Sequence, residues 1–234
     1  MLGAQPPVRG MEQRIVDRIP EPEVMDGGDE AKAYEQADFA EVNEAFVERI
    51  VELGGHLSRA CVVDLGAGPA DIAVRLLQRR PDWRVTAVDA AAAMFALARQ
   101  RLAGEPLGDR IDLVLADAKS LPFDDHAFDL VVSNSIIHHL NEPESVWLEV
   151  KRVARPGAVV LFRDLSRPDT PSRARRIVET YSGDESDLLK KLFYDSLLAA
   201  YTPDEVRGQL AAANLTTLQV EHSSDRHWDV FGRV

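Results

Sequence analysis

Between Ala60 and Asp164 the chain alternates short apolar runs with runs of helical periodicity, and this alternation limits the possible fold more than any other feature. "ACVVDL", "WRVTAVD", "RIDLVLAD", "FDLVVSN" and "GAVVLFRD" read as strands, while "ADIAVRLLQRR", "AAAMFALARQRLA" and "EPESVWLEVKRVA" read as helices. Strands joined through helices pair in parallel, and a parallel sheet needs cover on both faces. The expected fold class is therefore α/β, doubly wound around a mostly parallel sheet. One link departs from the pattern. "DAKSLPFDDHAF", between the third and fourth strands, is too short and too rich in Pro and Asp for a crossover helix, so it predicts a loop or a single turn.

The flanks are less regular. Residues 1–30, with "PEPEVMDGGDE", cannot hold a regular helix and read as a flexible segment that becomes an ordered wrap. Residues 31–234 then read as a single domain. Within 31–55, Tyr34, Ala37, Phe39, Val42, Phe46, Ile50 and Leu53 recur at helical spacing until Gly54 and Gly55, which predicts an amphipathic cap helix. Residues 166–200 form a largely helical insertion with polar breaks, expected to lie over the site. A further helix starts at Thr202 as N-cap with Pro203 in its first turn and ends near Asn214. The last residues read as an antiparallel hairpin around Ser223, Ser224 and Asp225.

At 234 residues, 45% hydrophobic and 28% charged, the composition is that of an ordinary globular chain, and no apolar run approaches membrane-spanning length. The N-terminal stretch lacks the apolar centre of a signal peptide, so a cytoplasmic location is expected. The single cysteine, Cys61, agrees and is expected in the core. A formal charge of -12 disfavours nucleic acid and anionic membranes as partners and favours a small acceptor, neutral or cationic. Monomer and homodimer both remain open. Arg173, Arg175 and Arg176 are expected on a solvated helix face.

"CVVDLGAGPADIAVRLL" carries the chemistry. Gly66 and Gly68 let the backbone turn sharply at the end of the first strand and approach a ligand, and the following helix presents free N–H groups. A dinucleotide turn wants a third glycine where Asp71 stands, and a carboxylate against phosphates disfavours a nicotinamide cofactor. Asp89 ends the second strand, where a carboxylate can accept both hydroxyls of a ribose. Asp117 ends the third, where it can bind an adenine amino group beside Ala118. Each acid alone could equally be a solvated loop residue; together they make a linear site.

"VVDLGAGPADIAVRL", "VTAVDAAAAMFALAR", "LVLADAKSLPFDDHAFDLVVSNSIIHHL" and "EVKRVARPGAVVLFRDL" resemble, in order, the motifs of the class I S-adenosylmethionine-dependent methyltransferases, notably the small-molecule branch. The resemblance covers roughly residues 58–165. It implies a seven-stranded sheet with a reversed last strand, which agrees with the C-terminal hairpin. It also implies that Asp64, Gly66, Ala67 and Gly68 line the methionine end of S-adenosylmethionine, Asp89 with Ala90 the ribose, and Asp117 with Ala118 the adenine. Ala70 departs from the family, many of whose members carry a third glycine there; alanine is small enough for the turn to survive.

Methyl transfer from a sulfonium needs positioning more than a protein nucleophile, and a base only if the acceptor arrives protonated. Ser133 and Asn134 follow the fourth strand and can present polar groups to the methionine part. His138 and His139 point in different directions on any helical turn, and His138 is the one expected at the pocket, as general base, as polar wall, or as a packed residue. Asp164, at the tip of the fifth strand, is the other catalytic candidate; it either orients an acceptor or pairs with Arg163 or Arg167. Tyr34 is an aromatic expected near the cofactor, and Phe193, Tyr194 and Tyr201 are candidate lid residues. Adjacent histidines are a poor chelating pair on a helix and the acids show no ligand spacing, so no metal is expected.

Overall fold

The computed structural model describes residues 16–23, 39–104 and 106–234. Over these the chain runs through helix α1 (Ala40–Gly54), strand β1 (Cys61–Leu65), α2 (Asp71–Arg79), β2 (Arg84–Asp89), α3 (Ala92–Leu102), β3 (Ile111–Leu115), β4 (Phe128–Asn134), α4 (Glu144–Val153), β5 (Ala154–Leu165), α5 (Pro171–Ser182), α6 (Asp187–Ala199), α7 (Pro203–Ala212), β6 (Gln219–His222) and β7 (His227–Arg233). The link from β3 to β4 holds turns and no helix, as its length demands.

The seven strands form one sheet in the order β3-β2-β1-β4-β5-β7-β6. β1 pairs in parallel with β2 and β4, β2 with β3, and β4 with β5. β7 lies antiparallel between β5 and β6, so the hairpin read from the sequence closes the sheet. The winding direction reverses at β1: the chain moves outward to β3 and then restarts on the other side at β4. Loops leaving the carboxyl ends of β1 and β4 diverge at such a switch point and leave a crevice.

One face of the sheet is covered by Phe46 and Ile50 of α1, Leu76 and Leu77 of α2, and Phe95 and Ala98 of α3. The other takes Trp147 and Val150 of α4 and Val206 and Leu210 of α7. Full burial of a Leu, Ile or Phe contributes about 1.5–3 kcal/mol, so α1 is firmly a layer of the fold. This corrects the cap expected over 31–55. In its described residues the helix covers the sheet, and Asn43, in its first turn, is the residue that reaches the crevice by accepting from Asn134 Nδ2 at 3.2 Å. An amphipathic stripe shows that a helix is half-buried without showing what it lies against.

α5 and α6 pack on one another and on Leu165 through Ala174, Ile177 and Leu197. Residues 16–23 are docked on this insertion: Ile19 N–H donates to Leu198 O at 3.0 Å, and Arg18 donates to the carbonyls of Ala199, His138 and Leu140. The helical insertion and the N-terminal segment thus flank the loop that follows β4. α7 begins with a capping box between Thr202 and Glu205 and Pro203 in its first turn, and Asn214 beyond its end adopts φ 54°. Cys61 is half-buried against the core, less enclosed than expected. Arg173, Arg175 and Arg176 are exposed on α5.

Candidate active site

The turn after β1 is held in left-handed backbone, with φ 70° at Gly66, 53° at Gly68 and 61° at Ala70. A Cβ on Gly66 would stand 3.1 Å from Ile136, so glycine is required there for packing as well as for conformation. A Cβ on Gly68 would project into open space, the approach path of a ligand. Ala70 keeps the turn at a cost of about 1–2 kcal/mol for a left-handed L-residue, and α2 starts behind it without a side-chain cap. Gly66 and Ala67 N–H both donate to Val88 O, which ties the turn to β2.

Asp89, at the tip of β2, accepts from Gly68 N–H through Oδ2 and from Ala91 N–H through Oδ1, both at 2.8 Å. A carboxylate offers about four acceptor sites, so capacity remains for two further donors. Burial raises its pKa, against the pull of these backbone donors. Asp117 is half-exposed and accepts from Lys119 N–H at 2.8 Å. A cleft of about 850 Å³, open solvent at its mouth included, is walled by Gly66, Gly68, Asp89, Ala90, Asp117, Ala118 and Asn134 together. These residues come from the tips of four strands, so the switch point brings most of the sequence-derived cofactor residues to one place.

Three others lie outside this wall. Ser133 is buried and its hydroxyl donates to Leu65 O at 2.7 Å, so it braces β1 against β4 instead of facing the cleft. Ala67 is buried within the turn. Asp64 is 1% exposed, its Oδ2 has no hydrogen-bond partner, and burial together with the charge of Asp89 pushes its carboxyl up to about 8. The folded state therefore holds a proton on Asp64 that the unfolded chain releases above about pH 4, so stability falls with rising pH from about 4 to about 8. Asp64→Asn is expected to raise the melting temperature at about pH 8 and leave it little changed near pH 4; scanning calorimetry at both values checks this, and an equal shift at both would contradict it. Tyr34 lies outside the described residues.

The wall includes groups that sequence reasoning missed. Ser135, Ile136, His139 and Leu140 simply continue "SNSIIHHL", a signal available in the sequence; Glu23 comes from the aperiodic N-terminal segment and had none. Glu23, Asp89 and Asp117 give the wall three carboxylates against Lys119, which is itself 2.5 Å from Glu23 Oε2. Asp71, at the start of α2, accepts from Asn43, Arg75 and Arg101. Such a lining suits a cationic ligand and opposes a pyrophosphate.

The two histidines sit on a single 3-10 turn, Ile137–His139, with ring centroids 4.0 Å apart. Here the expectation is corrected: His139 lines the cleft, and His138 is 4% exposed behind it. The cause is Asp164. Its Oδ1 lies 2.5 Å from His138 Nδ1, and it also accepts from the N–H groups of Ile137, His138 and Leu165 at 2.5, 3.2 and 2.6 Å. The two catalytic candidates are therefore engaged with one another inside the protein. Burial works against the His138 cation, yet Asp164 and Glu21 outweigh it and hold its pKa above the ordinary value. Burial, then the His138 charge, lower that of His139. Arg163 forms a bidentate pair with Asp229, and Arg167 pairs with Glu205, so neither serves Asp164. Tyr201 is buried, donating to Leu140 O at 2.8 Å with Arg18 over its ring; Phe193 and Tyr194 are partly buried within the insertion.

The family pattern described as a methyltransferase domain matches residues 63–162. Malonyl-acyl-carrier-protein O-methyltransferase of Geobacter sulfurreducens is 33% identical over 199 residues, which cover 82% of this chain and 70% of that protein. A ubiquinone/menaquinone biosynthesis C-methyltransferase of Pseudomonas fluorescens is 28% identical over 178 residues, 75% of this chain and 69% of the relative. Among solved structures, a SAM-dependent methyltransferase from Aquifex aeolicus superposes with a TM-score of 0.64 at 18% identity, over 87% of this chain and 97% of that one. Human N-acetylserotonin methyltransferase in complex with SAM gives 0.62 at 18% identity, over 88% and 56%. The chain belongs to the class I S-adenosylmethionine-dependent methyltransferases. It is a methyltransferase, and S-adenosylmethionine is its cofactor. The cleft fits that molecule: glycine backbone allows close approach, acids at the strand tips can accept from hydroxyl and amino groups, and the carboxylates suit a sulfonium and an ammonium. Among the described residues no helix is long and apolar enough to cross a membrane.

Proposed function

We propose that the enzyme transfers the methyl group of S-adenosylmethionine to a small-molecule acceptor, with the cofactor lying along the strand tips. The observation that carries this reading is the single cleft walled by Gly66, Gly68, Asp89, Ala90, Asp117, Ala118 and Asn134. In it Asp89 takes the ribose hydroxyls, Asp117 and Ala118 the adenine, and Asn134 with Ser135 the methionine part. Buried Asp64, which keeps its proton up to about pH 8, lies behind the glycine turn as a neutral group. The acceptor enters beside His139 and Leu140, where Glu23 joins the cleft wall and helix α6 of the insertion packs against the 137–139 turn.

The leaving thioether is neutral and the methyl already activated, so in-line alignment and exclusion of water carry most of the rate. His139, kept neutral by burial and by the neighbouring His138 charge, is the base for an acceptor that arrives protonated. The relatives are named for O- and for C-methylation, and both outcomes suit a cleft whose base faces the acceptor. A second reading follows from the 33% identical relative, whose name specifies an acyl group on a carrier protein.

Labelled S-adenosylmethionine, incubated with the enzyme and a panel of phenols, enols, carboxylates, thiols and a malonyl-carrier conjugate, tests the reading. Label in an organic-soluble small product is expected, and His139→Ala is expected to lower kcat by about 10²–10⁴-fold for an acidic acceptor. Label confined to the carrier conjugate would replace the first reading by the second.

A further inference from the structure

Glu21, His138 and His139 converge beside the cleft. His138 Nε2 lies 3.5 Å and His139 Nδ1 2.9 Å from the same oxygen, Glu21 Oε1, and the three ligand-type atoms all fall within 4.8 Å of one another. Two ligands each ~2.0–2.2 Å from one ion, at angles of roughly 90–110°, stand about 2.8–3.6 Å apart, and the two separations from Glu21 fall in that range. His139 Nδ1 is buried and makes no hydrogen bond, because Glu21 stands at that distance without lying in line with it. The other nitrogen of His138 is fixed by Asp164 at 2.5 Å, the carboxylate–imidazole contact that sets the tautomer of a ligating histidine and turns Nε2 outward.

The surroundings favour a cation. Two carboxylates, Glu21 and Asp164, stand against one guanidinium, Arg18, whose donors are spent on the carbonyls of His138, Leu140 and Ala199. The three side chains are 13, 5 and 16% exposed, so little water competes for them. The expectation of no metal rested on the histidine pair and on the lack of ligand spacing among the acids; the third ligand comes from a segment far upstream that carries no periodic signal.

We propose that Glu21, His138 and His139 bind one divalent transition-metal ion of the zinc class, with Asp164 orienting His138. Two imidazoles and a carboxylate leave at least one coordination position open, as in catalytic zinc sites. Because His139 is also part of the cleft wall, that position adjoins the space the acceptor must occupy. An acceptor oxygen or nitrogen bound there is polarised, and an acceptor hydroxyl releases its proton to solvent; in the ion-bound enzyme His139 is a ligand, and polarisation by the ion takes the place of the base. The ion also fastens residues 16–23, which supply Glu23 to the wall.

The test uses the untagged full chain, stripped of metal with a chelator, then titrated calorimetrically with Zn²⁺ and by visible absorption with Co²⁺. One ion per chain is expected, with the absorption of low-symmetry four- or five-coordinate cobalt. Glu21→Gln and His139→Ala are each expected to weaken Zn²⁺ by at least about 100-fold, more than the 10–100-fold that loss of an orienting neighbour causes. Glu21 lies outside the sheet and its covering helices, so Glu21→Gln should keep the circular dichroism of the parent and show that the fold is intact. Failure of the wild-type chain to bind either ion stoichiometrically overturns the proposal, and so does binding that survives both substitutions. Calorimetry of S-adenosylmethionine on the metal-free chain reports on the cofactor site separately, so the two readings fail independently.

Discussion

Asp164→Ala is expected to destabilise the protein by about 3–5 kcal/mol, the range for breaking a buried ion pair by removing one partner. Asp164 is fully buried and accepts from three backbone N–H groups besides His138 Nδ1. Alanine leaves all four donors without this acceptor and strands a histidine that is 4% exposed. At roughly 2–4 °C per kcal/mol for a chain of this size, the melting temperature should drop by about 6–20 °C. The effect has a pH window. The Asp164 carboxyl is held below its ordinary 3.8, since His138 and the backbone donors outweigh burial, so its contribution is present above 3.8 and is lost as pH falls through the lowered value. The His138 pKa is raised above 6.5, so its contribution is complete below 6.5 and is lost as pH rises through the raised value. The difference between wild type and variant should therefore be greatest between those limits. Urea unfolding across that range checks it, and a loss under 1 kcal/mol at every pH would show that the pair does not form.

Asp89→Ala is expected to weaken S-adenosylmethionine by about 1.5–3 kcal/mol, on the order of 10- to 150-fold, if two ribose hydroxyls donate to a charged acceptor. The upper end is favoured, because the same carboxylate holds Gly68 and Ala91 N–H and so shapes the turn that meets the methionine part. S-adenosylhomocysteine carries the same ribose and should lose as much. Asp89→Asn, which keeps one acceptor oxygen, should fall between. Calorimetric Kd values for the three proteins measure this, and an unchanged Kd in Asp89→Ala would remove the ribose role.

The sheet was legible because buried parallel strands leave a mark in the sequence that depends on no distant residue. "FDLVVSN" carries Leu130, Val131 and Val132 in succession because β4 is covered on both faces, and the run matches the strand end to end. The glycine turn and the tip acids Asp89 and Asp117 were legible for a related reason: their roles follow from position at a strand end. What stayed hidden depended on partners far along the chain. Choosing between His138 and His139 requires knowing that Asp164 of β5 reaches under the turn after β4. Ser133 and Asp64 have the spacing of site residues but lie buried beneath the turn. Glu21 and Glu23 come from a segment held by side-chain donors such as Arg18, with no hydrophobic rhythm to reveal it.

The cleft is acid-lined, shaped by glycine backbone, and walled by the tips of four adjacent strands. The most direct test is to titrate the purified chain calorimetrically with S-adenosylmethionine, S-adenosylhomocysteine and NAD in parallel. Stoichiometric binding of both adenosyl ligands and no heat from NAD is the expected result. Binding of NAD, or silence from both adenosyl ligands, would contradict the assignment of this cleft as the cofactor site.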